Sequence, residues 1–166
     1  ETSSSMKNAR HFVTHSLFSP DSKKIAFLHR WIHNDVAKRY SRLIVSDING
    51  DNIQIIQTDE MVSHYTWDDD SNIIAYCRKD NIDGHYLFFG ERFNKSKLIC
   101  KEILNSDGHQ HIIPNTKTFV TDTYPNSRRF AKLFVVDYEK NDAVEIASVK
   151  SPKKFQTRTL FKHWGC

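Results

Sequence analysis

This sequence of 166 residues has no long apolar run, and it lacks the even number of cysteines that a disulfide framework requires. No stretch of about 18 consecutive apolar residues occurs, which excludes a transmembrane helix. The number of cysteines, three, is odd; Cys77 and Cys100 fall within apolar strand patterns, and Cys166 is the last residue. We therefore expect buried thiols rather than a disulfide framework.

The sequence shows hardly any helical periodicity. It also lacks the common catalytic signatures. The sequence has no Gly-rich phosphate loop, no G-x-S-x-G elbow and no C-x-x-C pair. Residues 68–70 are all Asp, but the glycine and the distal glutamate of a calcium loop are missing. What remains is a globular composition in which 39% hydrophobic residues suffice for a core.

Charge is weakly biased, with 24 Lys and Arg against 20 Asp and Glu and a net charge of +4. The basic residues cluster only between residues 151 and 162, which favours a solvated tail over a nucleic-acid site. The first residues, ETSSSM, lack the apolar segment of a signal peptide. We expect residues 1–11 to be a disordered leader of a soluble protein, with its compartment open between the bacterial cytoplasm and periplasm.

One segment, HSLFSPDSKKIAFLHRW from His15 to Trp31, recurs twice in diverged form. Aligned without gaps, the copies place His15, His64 and His109 in register, 49 and then 45 residues apart. A bulky apolar residue follows three positions later, then a turn and an apolar run, in each copy. A period of about 40 to 50 residues is typical of propellers and solenoids.

Each copy predicts four short strands, a to d, so the fold class is all-β with three four-stranded antiparallel β-propeller blades. We expect blade 1 at 12–60, blade 2 at 61–105, blade 3 at 106–150, and a basic tail or the start of another blade at 151–166. Strand a of blade 1 is predicted to begin at His15, and strand d of blade 2 to span residues 98–104. Asn49-Gly50 predicts a hairpin between strands c and d of blade 1. Propellers close with four to eight blades, so the three form an incomplete propeller, either a fragment or an arc that self-associates through bare blade faces.

The pattern H-x-x-F-S-P-D-x-K-K-I-A-F from His15 to Phe27, followed by a strand ending in Asp47 and the Gly50 hairpin, resembles the TolB-like β-propellers. Within them it is most similar to the oligogalacturonate lyase branch. The resemblance covers about residues 14–149. It implies binding or β-elimination of acidic oligosaccharides, and classification as a polysaccharide lyase if the chain is an enzyme.

In a propeller, strand a of every blade lines the central channel, so the three register histidines should converge there. His111 lies two residues from His109, and the period-two alternation of a strand predicts the same face for both. Several neutral imidazoles near one axis are suitable ligands for a divalent metal acting as a Lewis acid.

The lyase resemblance implies a role for each histidine. His64, His109 and His111 would bind the metal, which is typically manganese in this family, and His15 would be the catalytic base. The family also has a glutamine three residues before its H-x-H pair, and this chain has Ser106 there. A structural role, in which repeated histidines bond to the backbone of the next blade, predicts the same repetition.

Three further residues are candidate substrate contacts near the ends of the b strands. Arg30 and Arg78 could each pair with a uronate carboxylate through a bidentate fork, although salt bridges are the simpler use of either. Tyr124 could stack on a sugar. The sequence thus leaves two functions open: a lyase-like segment for an acidic oligosaccharide, or a non-catalytic TolB-like scaffold that binds a protein partner.

Overall fold

The computed structural model describes residues 3–34, 38–56 and 58–155, and the strands in these ranges form three four-stranded antiparallel sheets. The sheets follow one another along the chain, and we call them blades 1, 2 and 3. Their strands are β1(Arg10–Phe18), β2(Lys24–Ile32), β3(Arg39–Asp47) and β4(Gln54–Ile56) in blade 1; β5(Val62–Trp67), β6(Ile73–Lys79), β7(Ile82–Phe89) and β8(Arg92–Ile99) in blade 2; and β9(Gln110–Ile112), β10(Thr118–Asp122), β11(Phe130–Asp137) and β12(Asp142–Lys150) in blade 3. The predicted all-β fold is confirmed.

Two short 3-10 helices flank the sheets, Ser4–Met6 and Lys153–Phe155. Met6 is buried, so part of the expected leader has ordered structure, and β1 begins at Arg10 rather than His15. Lys153 and Lys154 of the expected basic tail are exposed; Arg158 and Lys162 lie outside the described residues. No helix in the described part of the chain is long and apolar enough to cross a membrane.

The largest error in the strand prediction concerns the last strand of blade 2. We expected it at 98–104, but β8 runs from Arg92 to Ile99 and residues 101–103 form a turn. Only Phe93 and Ile99 of β8 are buried, because this strand forms the outer edge of the sheet. Its apolar signal is therefore too weak to show the strand in the sequence.

The hydrophobic core lies between the blades as two separate clusters. One joins blade 1 to blade 2 and includes Leu43, Val45, Trp67 and Ile73; the other joins blade 2 to blade 3 around Phe119. Adjacent residues of β6 belong to different clusters, since successive side chains of a strand point to opposite faces. Blade 2 is thus buried on both faces, and Cys77 and Cys100 are buried, free thiols.

The turn after the inner strand is one residue shorter in blade 2 than in the other blades. In the closing backbone bond, the N–H of Ser19 donates to Lys24 O in blade 1 and that of Ile113 to Thr118 O in blade 3. In blade 2 the N–H of Asp68 donates to Asn72 O. The gapless alignment is therefore wrong by one residue after this turn. Ile73, not Ile74, occupies the position of Ile25 and Phe119.

Candidate functional site

Three histidine rings from three consecutive blades meet at the inner strands. The ring centroids of His15 and His64 are 5.7 Å apart, and those of His64 and His109 are 4.2 Å apart. The repeat register predicts this convergence, and in the structure β5 contacts both β1 and β9. These three histidines form the histidine cluster.

Within the cluster, His64 is held in one orientation by a serine and a carboxylate. Its Nδ1 lies 2.9 Å from Ser63 Oγ and 3.3 Å from Asp107 Oδ1, and Ser63 donates to the other oxygen of Asp107. A carboxylate only accepts hydrogen bonds, so Nδ1 of His64 carries a hydrogen. Its buried Nε2 has no hydrogen-bond partner among the described residues.

His109 is oriented in the same way by Asp122. The backbone N–H of His109 donates to Asp122 Oδ1 at 2.6 Å, and its Nδ1 lies 3.0 and 3.2 Å from the two carboxylate oxygens. Gly108 makes this approach possible, because a Cβ there would lie 1.8 Å from the Asp122 carbonyl oxygen. The ring of Tyr124 is 6.2 Å from that of His109, so this predicted residue borders the cluster.

His15 occupies a strained position at an irregularity of β1. Its φ is +57°, in the left-handed region that non-glycine residues seldom adopt, and the pairing of β1 with β2 shifts between Thr14 and Leu17. Desolvation, assisted by the charge of Arg30 and the other two imidazoles, lowers the pKa of His15. The ring is therefore neutral near pH 7 and able to accept a proton.

Arg30 is buried next to the cluster, between blades 1 and 2. Its Nη2 donates to the carbonyl of Ser63 at 2.8 Å. Together with Asp107 it lines a cavity of about 270 Å³ that also includes Arg39 and Tyr40. A guanidinium and a carboxylate thus share one cavity that adjoins the histidine cluster.

Two predicted site residues are not brought into the cluster. His111 pairs with Val120 and is exposed on the face of blade 3 that points away from blade 2. No ring contact or hydrogen bond joins it to the cluster within the described part of the chain. The fork of Arg78 is filled by Asp83 of the same blade, with Nε–Oδ1 and Nη2–Oδ2 distances of 2.6 and 2.9 Å. Arg78 therefore forms the salt bridge that the sequence left open as its alternative use.

The donor set matches a metal centre only in part. Imidazoles oriented by carboxylates are usual around protein-bound metals, and the unpartnered Nε2 of His64 is consistent with one. Over residues 3–34, 38–56 and 58–155, however, no group of three or more His, Cys, Asp or Glu side chains is placed to hold an ion. The residues present do not complete the three-histidine centre, and metal binding stays a prediction.

Sequence reasoning missed Asp107 and did not connect Asp122 with His109. Asp107 stands two residues before His109, at the start of the third copy of the repeat, and Asp122 lies in β10. Neither position repeats as an acid in all three blades. Only the approach of blade 2 to blade 3 brings Asp107 to His64.

No family model and no curated protein matches the sequence. Solved structures do resemble it. Oligogalacturonate lyase in complex with manganese is 15% identical at a TM-score of 0.62, with 87% of this chain and 43% of that chain covered. The β-propeller domain of the Trilobed protease from Pyrococcus furiosus, described as having an open velcro topology, is 19% identical at a TM-score of 0.51, with 84% and 43% covered.

These similarities show that the chain has a β-propeller fold. The chain spans less than half the length of each of the two structures.

Proposed function

We propose that the inner surface of this propeller segment binds an acidic oligosaccharide, as part of a TolB-like propeller of the oligogalacturonate lyase type. The observation that supports the proposal best is the meeting of His15, His64 and His109 beside the buried Arg30. In this proposal Arg30 pairs with a uronate carboxylate, and Tyr124 at the margin contacts a sugar ring. One similar solved structure is an oligogalacturonate lyase, which agrees with this choice of ligand.

A β-elimination follows from the same arrangement. The carboxylate paired with Arg30 acidifies the proton alpha to it, and neutral His15 takes that proton as the base. The electron pair of the broken C–H bond forms the new C=C bond while the C–O bond to the glycosidic oxygen breaks. That oxygen leaves with the C–O electron pair and takes a proton from water. His64 and His109, held by Asp107 and Asp122, border the reacting atoms.

Binding is tested by calorimetry with trigalacturonate, using a neutral trisaccharide as the control ligand. Arg30→Gln should abolish the binding, whereas Arg78→Gln should retain it, because the fork of Arg78 already holds Asp83. Elimination is followed by the ultraviolet absorbance of the unsaturated product and should be lost in His15→Ala. Equal affinity for the neutral sugar, or unchanged binding by Arg30→Gln, would refute the proposal.

Metal content is tested separately, by elemental mass spectrometry of the protein after exposure to Mn²⁺. The resemblance predicts stoichiometric manganese that is lost in His64→Ala and His109→Ala, with His111→Ala as the third variant. If His111→Ala keeps the metal, the ligand set differs from the sequence-based prediction, since His111 lies on the face of blade 3 that points away from blade 2.

A second candidate is a non-catalytic scaffold for a protein partner, favoured by the carboxylate pairs. His64 of blade 2 is bonded to Asp107 at the entry to blade 3, so this pair ties two blades together. Under this function, His64→Ala lowers the urea midpoint of unfolding, and the wild type binds neither trigalacturonate nor manganese. Binding of either ligand by the wild type would decide against it.

A further inference from the structure

One contact between blades occurs twice within this chain. We call the face of a blade toward the preceding blade its upstream face and the opposite face its downstream face. Trp67 and Ile73 on the upstream face of blade 2 pack in one cluster with Leu43 and Val45 on the downstream face of blade 1. The upstream face of blade 3 packs on the downstream face of blade 2 in the second cluster, which includes Phe119. The interface always joins unlike faces.

The part of the upstream face of blade 1 around Phe18 is the uncovered counterpart of the first of these surfaces; Trp31 on the same face is buried, and its Nε1 donates to Ser5 of the N-terminal segment. Phe18 pairs with Ile25, as Trp67 pairs with Ile73 in blade 2. Phe18 is 64% exposed, whereas Trp67, at the same repeat position, is 7% exposed. Val13 on β1 is also exposed. Blade 1 thus presents the residue types that are buried in the next blade.

Blade 3 carries the matching downstream face. Its Val120 pairs with Val135 as Ala26 pairs with Val45 in blade 1, and Leu133 occupies the position of Leu43. Leu133 is 36% exposed, against 0% for Leu43. The same face continues onto β12, where Val144 pairs with Val135 and is 56% exposed. One molecule therefore carries both halves of a contact that it forms twice internally.

We propose that two copies of this chain associate head to tail, with the upstream face of blade 1 of each copy against the downstream face of blade 3 of the other. A second copy is the occupant with both required surfaces, and it continues the interface already present between the blades. Three blades from each copy make six, within the four to eight with which propellers close. Burial of the exposed apolar side chains drives the association.

Closure of this ring would also complete the candidate site. The inner strands β1, β5 and β9 of both copies would surround one channel, so a histidine cluster from each copy would face it. His111, on the downstream face of blade 3, would then lie at the contact between copies.

The test is the mass in solution, measured by light scattering and by sedimentation from low to high micromolar protein. Twice the chain mass of 19.4 kDa is expected at the upper end. Phe18→Asp and Leu133→Asp should each give the monomer. Ile82→Asp is the matched control, because Ile82 is 43% exposed in blade 2, outside both faces, and it should leave the dimer intact.

Mixing the two disrupted variants identifies the geometry. In a head-to-tail pair, the intact upstream face of Leu133→Asp meets the intact downstream face of Phe18→Asp, so the mixture should recover a heterodimer through one good contact. A contact between two upstream faces would instead leave Leu133→Asp dimeric by itself.

Three results would overturn the closed ring. They are a monomer of the wild type at every concentration, a series of growing oligomers without a stop at the dimer, and a dimer insensitive to Phe18→Asp. The first two need no variant, so they hold even if a substituted chain fails to fold.

Discussion

Blade 2 and blade 1 are built from the same repeat, yet their equivalent residues have different environments. Ile73 of blade 2 is fully buried, while Ile25 of blade 1 is only partly buried. The exposed fractions of Trp67 and Phe18 differ even more. The local sequence is apolar at each of these positions. Burial in this fold is thus decided by the neighbouring sheet, and the energetic weight of a repeat position depends on its place in the series.

The largest expected effect separates these two blades directly. Trp67→Ala should lower the free energy of unfolding by about 3–5 kcal/mol, since it removes a buried aromatic ring and the bond from its Nε1 to the carbonyl of Leu17. Phe18→Ala at the same repeat position should cost less than about 0.5 kcal/mol in the monomer. Urea denaturation at low protein concentration measures both; equal losses would contradict the difference in burial.

A second effect concerns a histidine buried at the contact between blades 2 and 3. His85 is 0% exposed, and its ring meets that of Tyr76 edge-on and lies tilted against that of Phe119. Neither ring nitrogen has a hydrogen-bond partner among the described residues. Desolvation lowers the pKa of His85 to about 4. The unfolded chain, with a histidine pKa near 6.5, therefore binds a proton that the folded chain rejects.

Stability should consequently fall as the pH drops from 6.5 to 4, by at most about 3 kcal/mol from this residue. His85→Leu should flatten most of this slope with little loss at pH 7, because it removes polar atoms that have no partner. His15 and His29, whose pKa values burial also lowers, contribute in the same direction and remain. Urea midpoints measured across this pH range test the prediction, and an unchanged slope in His85→Leu would contradict it.

A smaller effect is expected from the hydroxyl that links blade 2 to blade 1. Tyr65 donates to the carbonyl of Ala26 at 2.6 Å and also contacts the carbonyl of His15. Tyr65→Phe should cost about 1–2 kcal/mol, because it leaves a buried carbonyl without its donor. Tyr138→Phe, which loses a bond from the Tyr138 hydroxyl to Asp68 across the other contact, is the matched variant. A lower free energy of unfolding in Tyr138→Phe but not in Tyr65→Phe would contradict the prediction for the contact between blades 1 and 2.

The smallest effect is expected where an exposed turn within blade 2 contacts an exposed turn within blade 3. Lys117 pairs there with Asp70, and both side chains are well exposed to solvent. Asp70→Asn should leave the urea midpoint within the error of the measurement, since exposed ion pairs contribute little to stability. A clear drop in the midpoint would show that this pair holds the blades together.

The fold was largely predictable because each blade repeats a local signal. Register histidines, turn residues and apolar runs identify eleven of the twelve strands. The Asn49-Gly50 hairpin between β3 and β4 is confirmed by the pairing of these strands and the positive φ of Gly50. The position of β8 was predicted wrongly because an outer strand needs few apolar residues. The short turn before Ile73 was not predicted because a gapless alignment cannot show a deletion of one residue.

The candidate site was predictable only where it follows the repeat. His15, His64 and His109 converge because equivalent positions on inner strands face the same axis. His111 was placed with them by strand alternation, but its pairing with Val120 turns it to the downstream face of blade 3. Of the three predicted metal ligands, His111 is therefore the one that the structure separates from the others.

The sequence by itself determined the repeat, the all-β class and the alignment of three histidines, since these depend on local periodicity and on equivalent positions in a series. Tertiary structure decided which carboxylates hold His64 and His109, which arginine lies near the cluster and which apolar faces remain open. The contact between His64 and Asp107 joins residues 43 positions apart, in different blades. Such contacts depend on how one sheet is laid against the next, and local sequence patterns do not specify that geometry.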